Sequence, residues 1–492
     1  MSIATPLASA HESNQLKNLT EIKFGTDGWR ALIANEFTFA NVERVAQAYA
    51  DFLQKSAGTA TPLVVVGYDR RFLSELFAAR AVEVLAGNAC RTMLFSEAVP
   101  TPLVSWAVKN LQANGGVVIT ASHNPPEFNG FKIKAPWGGS AAPETTAQVE
   151  KLVDVNEPKR MAVVTQSGDL DGAIRSYKNQ INSYFDLDSL RSLNAAIVVD
   201  PMHGSGGRWV ESFLSGGKLE VETIRANRDP LFGGVNPEPI DSNLAPLKKR
   251  VVESHALIGL ATDGDADRVG AVNEQGHTMT MHDVVPLVLL HLARNRGMSG
   301  GVVRTFSQSV LLKRIAAAHG LKLYETAIGF KYIAELMLND DILIGAEESG
   351  GIGVKNHIPE RDGILNSLLF LEAIATAGKP PSEMMHDLHR EFGEFHFGRR
   401  DRKLEVAKGM QLVASLATAP PSSIGDDEVI DVQTTDGTKL LFQDESWLLF
   451  RQSGTEPMLR IYAEASSVAK MNALLDAGER LAASGSGASR PQ

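Results

Sequence analysis

The chain has almost no cysteine. Of its 492 residues only Cys90 is one, so no intrachain disulfide can staple it, which fits a reducing compartment. It has no surplus of positive charge either. Lys and Arg number 48 against 58 Asp and Glu, a net charge of −10, so there is no electrostatic footprint for nucleic acid. Single basic residues are therefore read as ligand contacts or as surface. Long apolar runs are missing too. The longest, Val284-Val285-Pro286-Leu287-Val288-Leu289-Leu290, is broken by proline and stopped by His291, far short of the ~20 residues of a membrane span. The first twenty residues have neither a basic start nor an apolar centre and read as a loose arm, not a signal peptide. Residues 482–492 are rich in Ser and Gly and are expected to be disordered. What remains is a globular composition, 43% apolar and 22% charged, long enough for three or four domains. The expected setting is the cytoplasm, with no membrane and no nucleic-acid partner.

What the chain does have is a series of short apolar runs that each end in a polar loop. Val117-Val118-Ile119, after Gly115-Gly116, predicts a buried strand, and Thr120-Ala121-Ser122-His123-Asn124-Pro125 follows it. Asn-Pro-Pro cannot continue a strand, so Ser122 is expected on a loop at a strand end, where reactive groups commonly sit. Upstream, Phe24-Gly25-Thr26-Asp27-Gly28-Trp29-Arg30 reads by itself as a turn, with Arg30 offering a forked donor suited to phosphate. A helix is expected from Asn41 to Gln54 and a strand from Leu63 to Val66 ending at Asp69-Arg70-Arg71, an alternation that argues α/β layers. Asn129-Gly130 resembles a hairpin turn leading into Phe131-Lys132-Ile133-Lys134, where alternation puts both lysines on one face. Alone, that reads as a solvated strand face.

The strongest bare chemical signal is Asp263-Gly264-Asp265-Ala266-Asp267-Arg268, between the apolar runs Leu257–Leu260 and Val269 onward. Three carboxylates at alternate positions repel one another unless a cation draws them together. An EF-hand loop is the rival reading, but Arg268 stands where that loop needs glycine and the flanks read as strands. A hard divalent cation such as Mg²⁺ fits better. Asp200-Pro201-Met202-His203-Gly204-Ser205-Gly206-Gly207 has glycines but neither nucleotide-loop pattern, and is read as a strand-to-helix turn.

Further on, a helix is expected from Ser309 to His319, and Ile328-Gly329-Phe330-Lys331 reads as a loop before another helix. Ile342-Leu343-Ile344-Gly345 predicts a strand ending in Ala346-Glu347-Glu348-Ser349-Gly350-Gly351, with Glu347 and Ser349 as acceptors for sugar hydroxyls or, alternatively, a helix-entry turn with a local cap. Trp447-Leu448-Leu449-Phe450 predicts the last such strand, ending in Arg451-Gln452-Ser453-Gly454-Thr455-Glu456-Pro457 and followed by Arg460. Two guanidiniums, two hydroxyls and a glycine suit a phosphate dianion. Four loops, one per module, imply a site in a cleft between domains.

Together these stretches resemble the α-D-phosphohexomutase family, and most of all its phosphoglucomutase/phosphomannomutase branch. TASHNP is similar to the family's phosphoserine loop, DGDADR to its metal loop, AEESGG to its sugar loop, RQSGTEP to its phosphate loop and FGTDGWR to its N-terminal signature, in the family's order across residues 24–462. The resemblance implies an α/β protein of four domains around a central cleft. Three would be related units, each a mixed four-stranded sheet between helices, and the last a smaller C-terminal α+β domain. The expected spans are 1–170, 171–296, 297–393 and 394–492. It also implies a reversible exchange of phosphate between the 1- and 6-positions of a hexose. The expected reaction is that of a phosphoglucomutase, with mannose phosphates as further substrates, passing through a phosphoserine and a hexose 1,6-bisphosphate.

The residues expected to carry this are Ser122, His123, Lys132 and Arg30 for catalysis, Ser122, Asp263, Asp265 and Asp267 for Mg²⁺, and Arg268, Gly329, Glu347, Ser349, Arg451, Ser453, Gly454, Thr455 and Arg460 for substrate. Glucose 1,6-bisphosphate is the expected activator, and a monomer or homodimer the expected assembly. In two places the chain departs from relatives: Gly351 stands where some have a histidine, and Arg361 lies where others have a lysine. Phosphomannomutase and phosphoglucosamine mutase are the alternatives within the family, although Glu348 and Gly351 argue against the aminosugar. Outside it stand a serine-dependent sugar phosphatase and a silent sugar-phosphate-binding protein.

Overall fold

The computed structural model describes residues 20–25, 28–58, 60–162, 169–453 and 457–484. The expected N-terminal arm thus lies outside the described residues up to position 19. Of the expected disordered tail, residues 482–484 instead close the last helix, Val468–Ser484.

Four sheets organise the chain. The first holds β1 (Gly28–Leu32), β2 (Leu63–Tyr68), β3 (Arg91–Leu94), β4 (Gly115–Ile119) and β5 (Phe128–Lys134), in the order β1-β5-β4-β2-β3. The second holds β6 (Ala196–Asp200), β7 (Glu220–Thr223), β8 (Ile258–Thr262), β9 (Val269–Asn273) and β10 (Thr278–Met279), in the order β10-β9-β8-β6-β7. The third holds β11 (Gly301–Thr305), β12 (Leu323–Thr326), β13 (Ile342–Ala346) and β14 (Ile352–Val354), in the order β12-β11-β13-β14. One four-strand pattern recurs in all three. Two parallel pairings (β4-β2-β3, β8-β6-β7, β13-β11-β12) are followed by one antiparallel partner (β5, β9, β14).

The expected four-stranded count holds for the third sheet only. β1 adds to the first sheet antiparallel to β5, and β10 to the second antiparallel to β9, each making a fifth strand at an open edge. That pairing also corrects the reading of Asn129-Gly130. The dipeptide lies inside β5, opposite Ala31 and Arg30, because β1 pairs with it on one side and Thr120, just past β4, donates to the Gly130 carbonyl on the other, overriding its local turn preference. β4, β8, β9 and β13 are buried along their whole length, as strands covered by helices on both faces must be.

The fourth sheet is antiparallel throughout. It comprises β15 (His396–Lys403), β16 (Ser423–Ile424), β17 (Asp427–Gln433), β18 (Thr438–Phe442), β19 (Trp447–Gln452) and β20 (Met458–Ala465), in the order β15-β20-β19-β18-β17-β16. β15 is an edge strand and carries Arg399, Arg400, Asp401, Arg402 and Lys403, charges that discourage edge-to-edge pairing. Leu412, Leu440, Phe450, Ile461 and Leu475 lie in a core of this module's own. The first three modules share one continuous core, from Val65 and Leu103 through Leu260 and Val285 to Leu343 and Phe370, which reaches Trp447 and Tyr462 of the fourth. The helix Gly363–Ala377 runs through it and is buried along most of its length. Asp362 caps that helix by accepting from the backbone of Ile364 and Leu365. Among the described residues no helix is long and apolar enough to cross a membrane.

Candidate active site

Ser122 follows β4, as its neighbours predict, and its backbone is in the left-handed region at φ 51°. A side-chain-bearing residue holds that conformation only where its surroundings impose it. Here the imposing group is Arg71, fully buried at the end of β2. Its guanidinium donates to the carbonyls of Ser122 (2.7 Å), Asn124 (2.7 Å), Pro125 (2.7 Å) and Phe128 (3.0 Å), while Asp69 accepts from its Nε at 3.1 Å. Arg30 adds a bond to Asn124 Oδ1 at 2.7 Å. The sequence reading passed over Arg71 as the end of a strand. Only the long-range pairing of β2 with β4 shows that it organises the loop.

The aspartate loop lies between β8 and β9 and meets this serine directly. Ser122 Oγ donates to Asp263 Oδ2 at 2.8 Å. The backbones approach so closely that a Cβ on Gly264 would lie 2.4 Å from the Ser122 carbonyl oxygen, which only glycine permits. Asp263, Asp265 and Asp267 are fully buried, and one oxygen from each lies within 4.8 Å of the others. Asp265 Oδ1 and Asp267 Oδ1 are buried with no hydrogen-bond partner, so oxygen lone pairs converge here without protein donors. This donor set fits a hard divalent cation. The strand flanks also exclude the helix-loop-helix of an EF-hand.

Cations close the charge balance around these acids. Lys132 Nζ donates to Asp267 at 2.9 Å and to Asp265 at 3.3 Å, and Arg361 reaches Asp267 at 3.0 Å. Lys134 pairs with Glu360 at 2.8 Å. The solvated face read for these two lysines is therefore corrected: both are buried, because β5 presents them to acids contributed by later modules. Burial by itself would raise Asp267, yet Arg361 and Lys132 hold it far below the usual carboxylate range. Asp263 goes the other way, pushed well up by burial and then by the charges of Asp265 and Asp267. His123 Nδ1 lies 3.5 Å from Ser122 Oγ, and burial, Arg268 and Arg30 keep its imidazole neutral. Thr101 donates to Asp265 at 2.7 Å, a further contact that sequence reasoning missed.

The loop between β13 and β14 joins the same cluster. It is a strand-to-strand turn, which removes the helix-entry alternative. Glu347 is 3.7 Å from Arg361, Ser349 is half-buried, and the Gly350 carbonyl accepts from the backbone N–H of Val269, the first residue of β9 after the aspartate loop, at 3.1 Å. The two departures noted in the sequence turn out to be neighbours. A Cβ on Gly351 would sit 2.5 Å from Arg361 Cδ and 2.9 Å from Glu347 Oε2, so Arg361 uses the space that a side chain at 351 would need. Arg268 lies 3.7 Å from Glu238.

Arg451, Ser453 and Arg460 stand apart, on β19, at its end and on β20 of the fourth module. Gly454 and Thr455 of the expected clamp, like Thr26 and Asp27 of the N-terminal signature, lie outside the described residues. Arg451 and Arg460 are direct cross-strand partners, a like-charge arrangement that is unfavourable without an anion. Asp436 accepts from Arg451 Nε at 3.0 Å. Burial alone would lower Arg451, but Asp436 outweighs it, and Tyr462 and then Glu348 add to the effect, raising it. Gly329, at φ 142°, precedes the helix Phe330–Asn339 of the third module, and Ile328 beside it bonds Asp436.

Comparison with known proteins agrees with this layout. Four phosphoglucomutase/phosphomannomutase family models match in turn: α/β/α domain I over residues 21–160, domain II over 175–276, domain III over 282–392 and the C-terminal domain over 402–480. A phosphoglucomutase/phosphomannomutase of Thermococcus kodakarensis is 34% identical over 463 residues, 93% of this chain and 98% of that one. The chain belongs to the phosphoglucomutase/phosphomannomutase family. As a member of the α-D-phosphohexomutases it is an isomerase that moves a phosphoryl group within a sugar phosphate. Another relative within the family, a probable phosphoglucosamine mutase of Methanobrevibacter smithii, is 30% identical over 92% of this chain and 96% of that one. The crystal structure of a putative phosphomannomutase from Thermus thermophilus superposes with a TM-score of 0.83 at 37% identity, covering 94% of this chain and 99% of that one. The exact sugar is thus left to the site.

Proposed function

We propose that the chain is a cytoplasmic phosphoglucomutase, interconverting α-D-glucose 1-phosphate and glucose 6-phosphate, with mannose phosphates as further substrates. Ser122 is the phosphoryl carrier, and the observation that supports this most is its hydroxyl at 2.8 Å from one of three buried aspartates. In the first step the phosphorus–Oγ bond of phosphorylated Ser122 breaks and a bond to the sugar O6 forms, giving the 1,6-bisphosphate. The sugar hydroxyl's proton passes to neutral His123, the base at hand, while Lys132, held as an ammonium by Asp265 and Asp267, offsets charge. The bisphosphate turns end for end, Ser122 takes back the phosphate from O1, and His123 returns the proton to O1.

Asp263, Asp265, Asp267 and Ser122 would hold Mg²⁺, which when bound supplies positive charge beside the phosphoryl oxygens. Lys132 and Arg361 offset the acids that remain, and Arg30 steadies the serine loop through Asn124. Glu347, Ser349, Arg268 and Gly329 address the sugar. Arg451, Ser453, Gly454, Thr455 and Arg460 hold the phosphate that is not reacting. The modules taking these parts are 1–170, 171–296, 297–393 and 394–492.

Phosphoglucosamine mutase is the second reading, favoured by relatives of that name that match over 92% of this chain. Against it stand Glu348, held by Ser307 at 2.8 Å, and the side-chain-free Gly351. The test is a coupled assay with the 1-phosphates of glucose, mannose and glucosamine, with glucose 1,6-bisphosphate, with and without Mg²⁺. Glucose 1-phosphate should give the highest kcat/KM, with no release of inorganic phosphate and no rate without a divalent ion. A higher kcat/KM for glucosamine 1-phosphate would install the second reading, and steady release of phosphate would make the protein a phosphatase.

A further inference from the structure

One carboxylate joins two modules at the clamp. Asp436 lies in the turn between β17 and β18 of the fourth module and is 21% exposed. Its Oδ1 accepts from Arg451 Nε at 3.0 Å. Its Oδ2 accepts from the backbone N–H of Ile328 at 2.9 Å, in the loop that opens the third-module helix Phe330–Asn339. That helix has no side-chain cap of its own, so the acid also lies where a helix N-terminus favours negative charge.

We propose that Asp436 is a latch that couples closure of the fourth module to the aim of Arg451. The proposal rests on reading Arg451 as a phosphate ligand. In this structure Asp436 uses the Nε edge of the guanidinium, which leaves the terminal nitrogens for the sugar's phosphate. When the fourth module moves away, the Ile328 bond breaks and Oδ2 is released. A carboxylate with both oxygens available pairs bidentately with an arginine, so Asp436 then takes up the terminal nitrogen as well. It stands in for the departing phosphate and screens Arg451 from Arg460, its cross-strand neighbour. Closing the module therefore clears the clamp and opening it fills the clamp. A bisphosphate that must let go and turn end for end needs such an exchange. Asp436 is a positioning residue here, since it acts through Arg451.

Two variants and two readouts test this. Asp436→Ala removes both bonds, whereas Asp436→Asn keeps an acceptor for the Ile328 N–H. Hydrogen exchange of the peptide spanning Ile328 reads the latch without reference to catalysis. Exchange should quicken about tenfold in the Ala variant and stay near wild type in the Asn variant, in line with the loss or retention of one hydrogen bond. The concentration of glucose 1,6-bisphosphate that gives half-maximal rate should rise about tenfold in both variants, because an Asn that keeps its one oxygen on Ile328 turns a donor toward Arg451 and no longer aims it. A role confined to the turn would lower the melting temperature of both variants alike and leave the bisphosphate requirement unchanged. Unchanged exchange at Ile328 in the Ala variant overturns the latch, and so does an unchanged bisphosphate requirement. Failure of the mutase reading shows itself separately, as wild-type protein with no bisphosphate-dependent turnover but with Ile328 still protected by Asp436.

Discussion

Around Ser122, three modules bury Asp263, Asp265, Asp267 and Glu360 against Lys132, Lys134 and Arg361, and each of these side chains is at most 5% exposed. At the proposed clamp, Arg451 is 21% exposed, faces another arginine and is held, among the described residues, by the carboxylate of Asp436, itself shared with a neighbouring module. The first region is over-determined: removing one partner strands a buried charge, which costs about 3–5 kcal/mol. The second is held by few bonds, near water, on a module with a core of its own. Under the proposed function, the reacting atoms take the fixed place, and the far end of a sugar that turns around takes the grip that can open.

The harshest test of this contrast is Ser122→Ala. If the fixed centre carries the phosphoryl group, turnover disappears while the fold stays intact, since alanine keeps the loop's Arg71 bonds to backbone carbonyls. Intact-mass measurement of active wild-type protein should show one phosphate, absent from the variant. Retained turnover would remove the centre's role altogether.

Arg451→Ala should have a smaller effect of a different kind. Loss of a charge-assisted contact costs on the order of 1.5–3 kcal/mol, roughly ten- to a hundred-fold in kcat/KM. If one grip serves both ends of the bisphosphate, the defect is similar with glucose 1-phosphate and glucose 6-phosphate, at an unchanged Mg²⁺ requirement. A defect in one direction only would mean that the two phosphates use separate grips.

The smallest effect concerns how the fourth module is fastened. Lys439 is buried beside Phe306 of the third module, 4.2 Å from its ring centre, and over Trp447 at 4.8 Å. Burial lowers its amine to about 8. The folded state thus sheds this proton before the unfolded chain does, and the charged form is the costly one to bury. Its contribution to stability is fully present above the unfolded value of about 10.5 and is lost as pH falls to about 8. The span corresponds to about 3 kcal/mol at most. Lys439→Met should raise the melting temperature at pH 7 and flatten its rise between pH 8 and 10, measured against wild type. Equal pH profiles for both proteins would show that the ring contacts offset the burial of charge.

Much of the site was legible because it is written locally. An apolar run followed by residues that cannot continue a strand marks a strand end, and so Ser122, Asp263 and Glu347 were expected where the structure puts them, after β4, β8 and β13. Alternating aspartates announce a cation wherever they occur. Other features were not legible, for one reason. Lys132 and Lys134 read as solvated because the acids that bury them lie more than 130 and 220 residues further on. Asn129-Gly130 read as a turn because its pairing with β1 reaches back across about a hundred residues. Arg71 looked like a strand end until four carbonyls from another strand's loop gathered on it.

By itself, then, the sequence determined the family: a loop serine, three alternating carboxylates, a Glu/Ser loop and an arginine-rich loop, in an order that matches one family. Side-chain type and strand periodicity are local properties, and they survive any arrangement of the modules. Only the tertiary structure decided which charges neutralise which, that Gly351 leaves its space to Arg361, and that Asp436 bonds two modules at once. Coulomb attraction and burial depend on distance in space, and distance between residues far apart in the chain is set by how the sheets and helices pack, not by the residues' own identities.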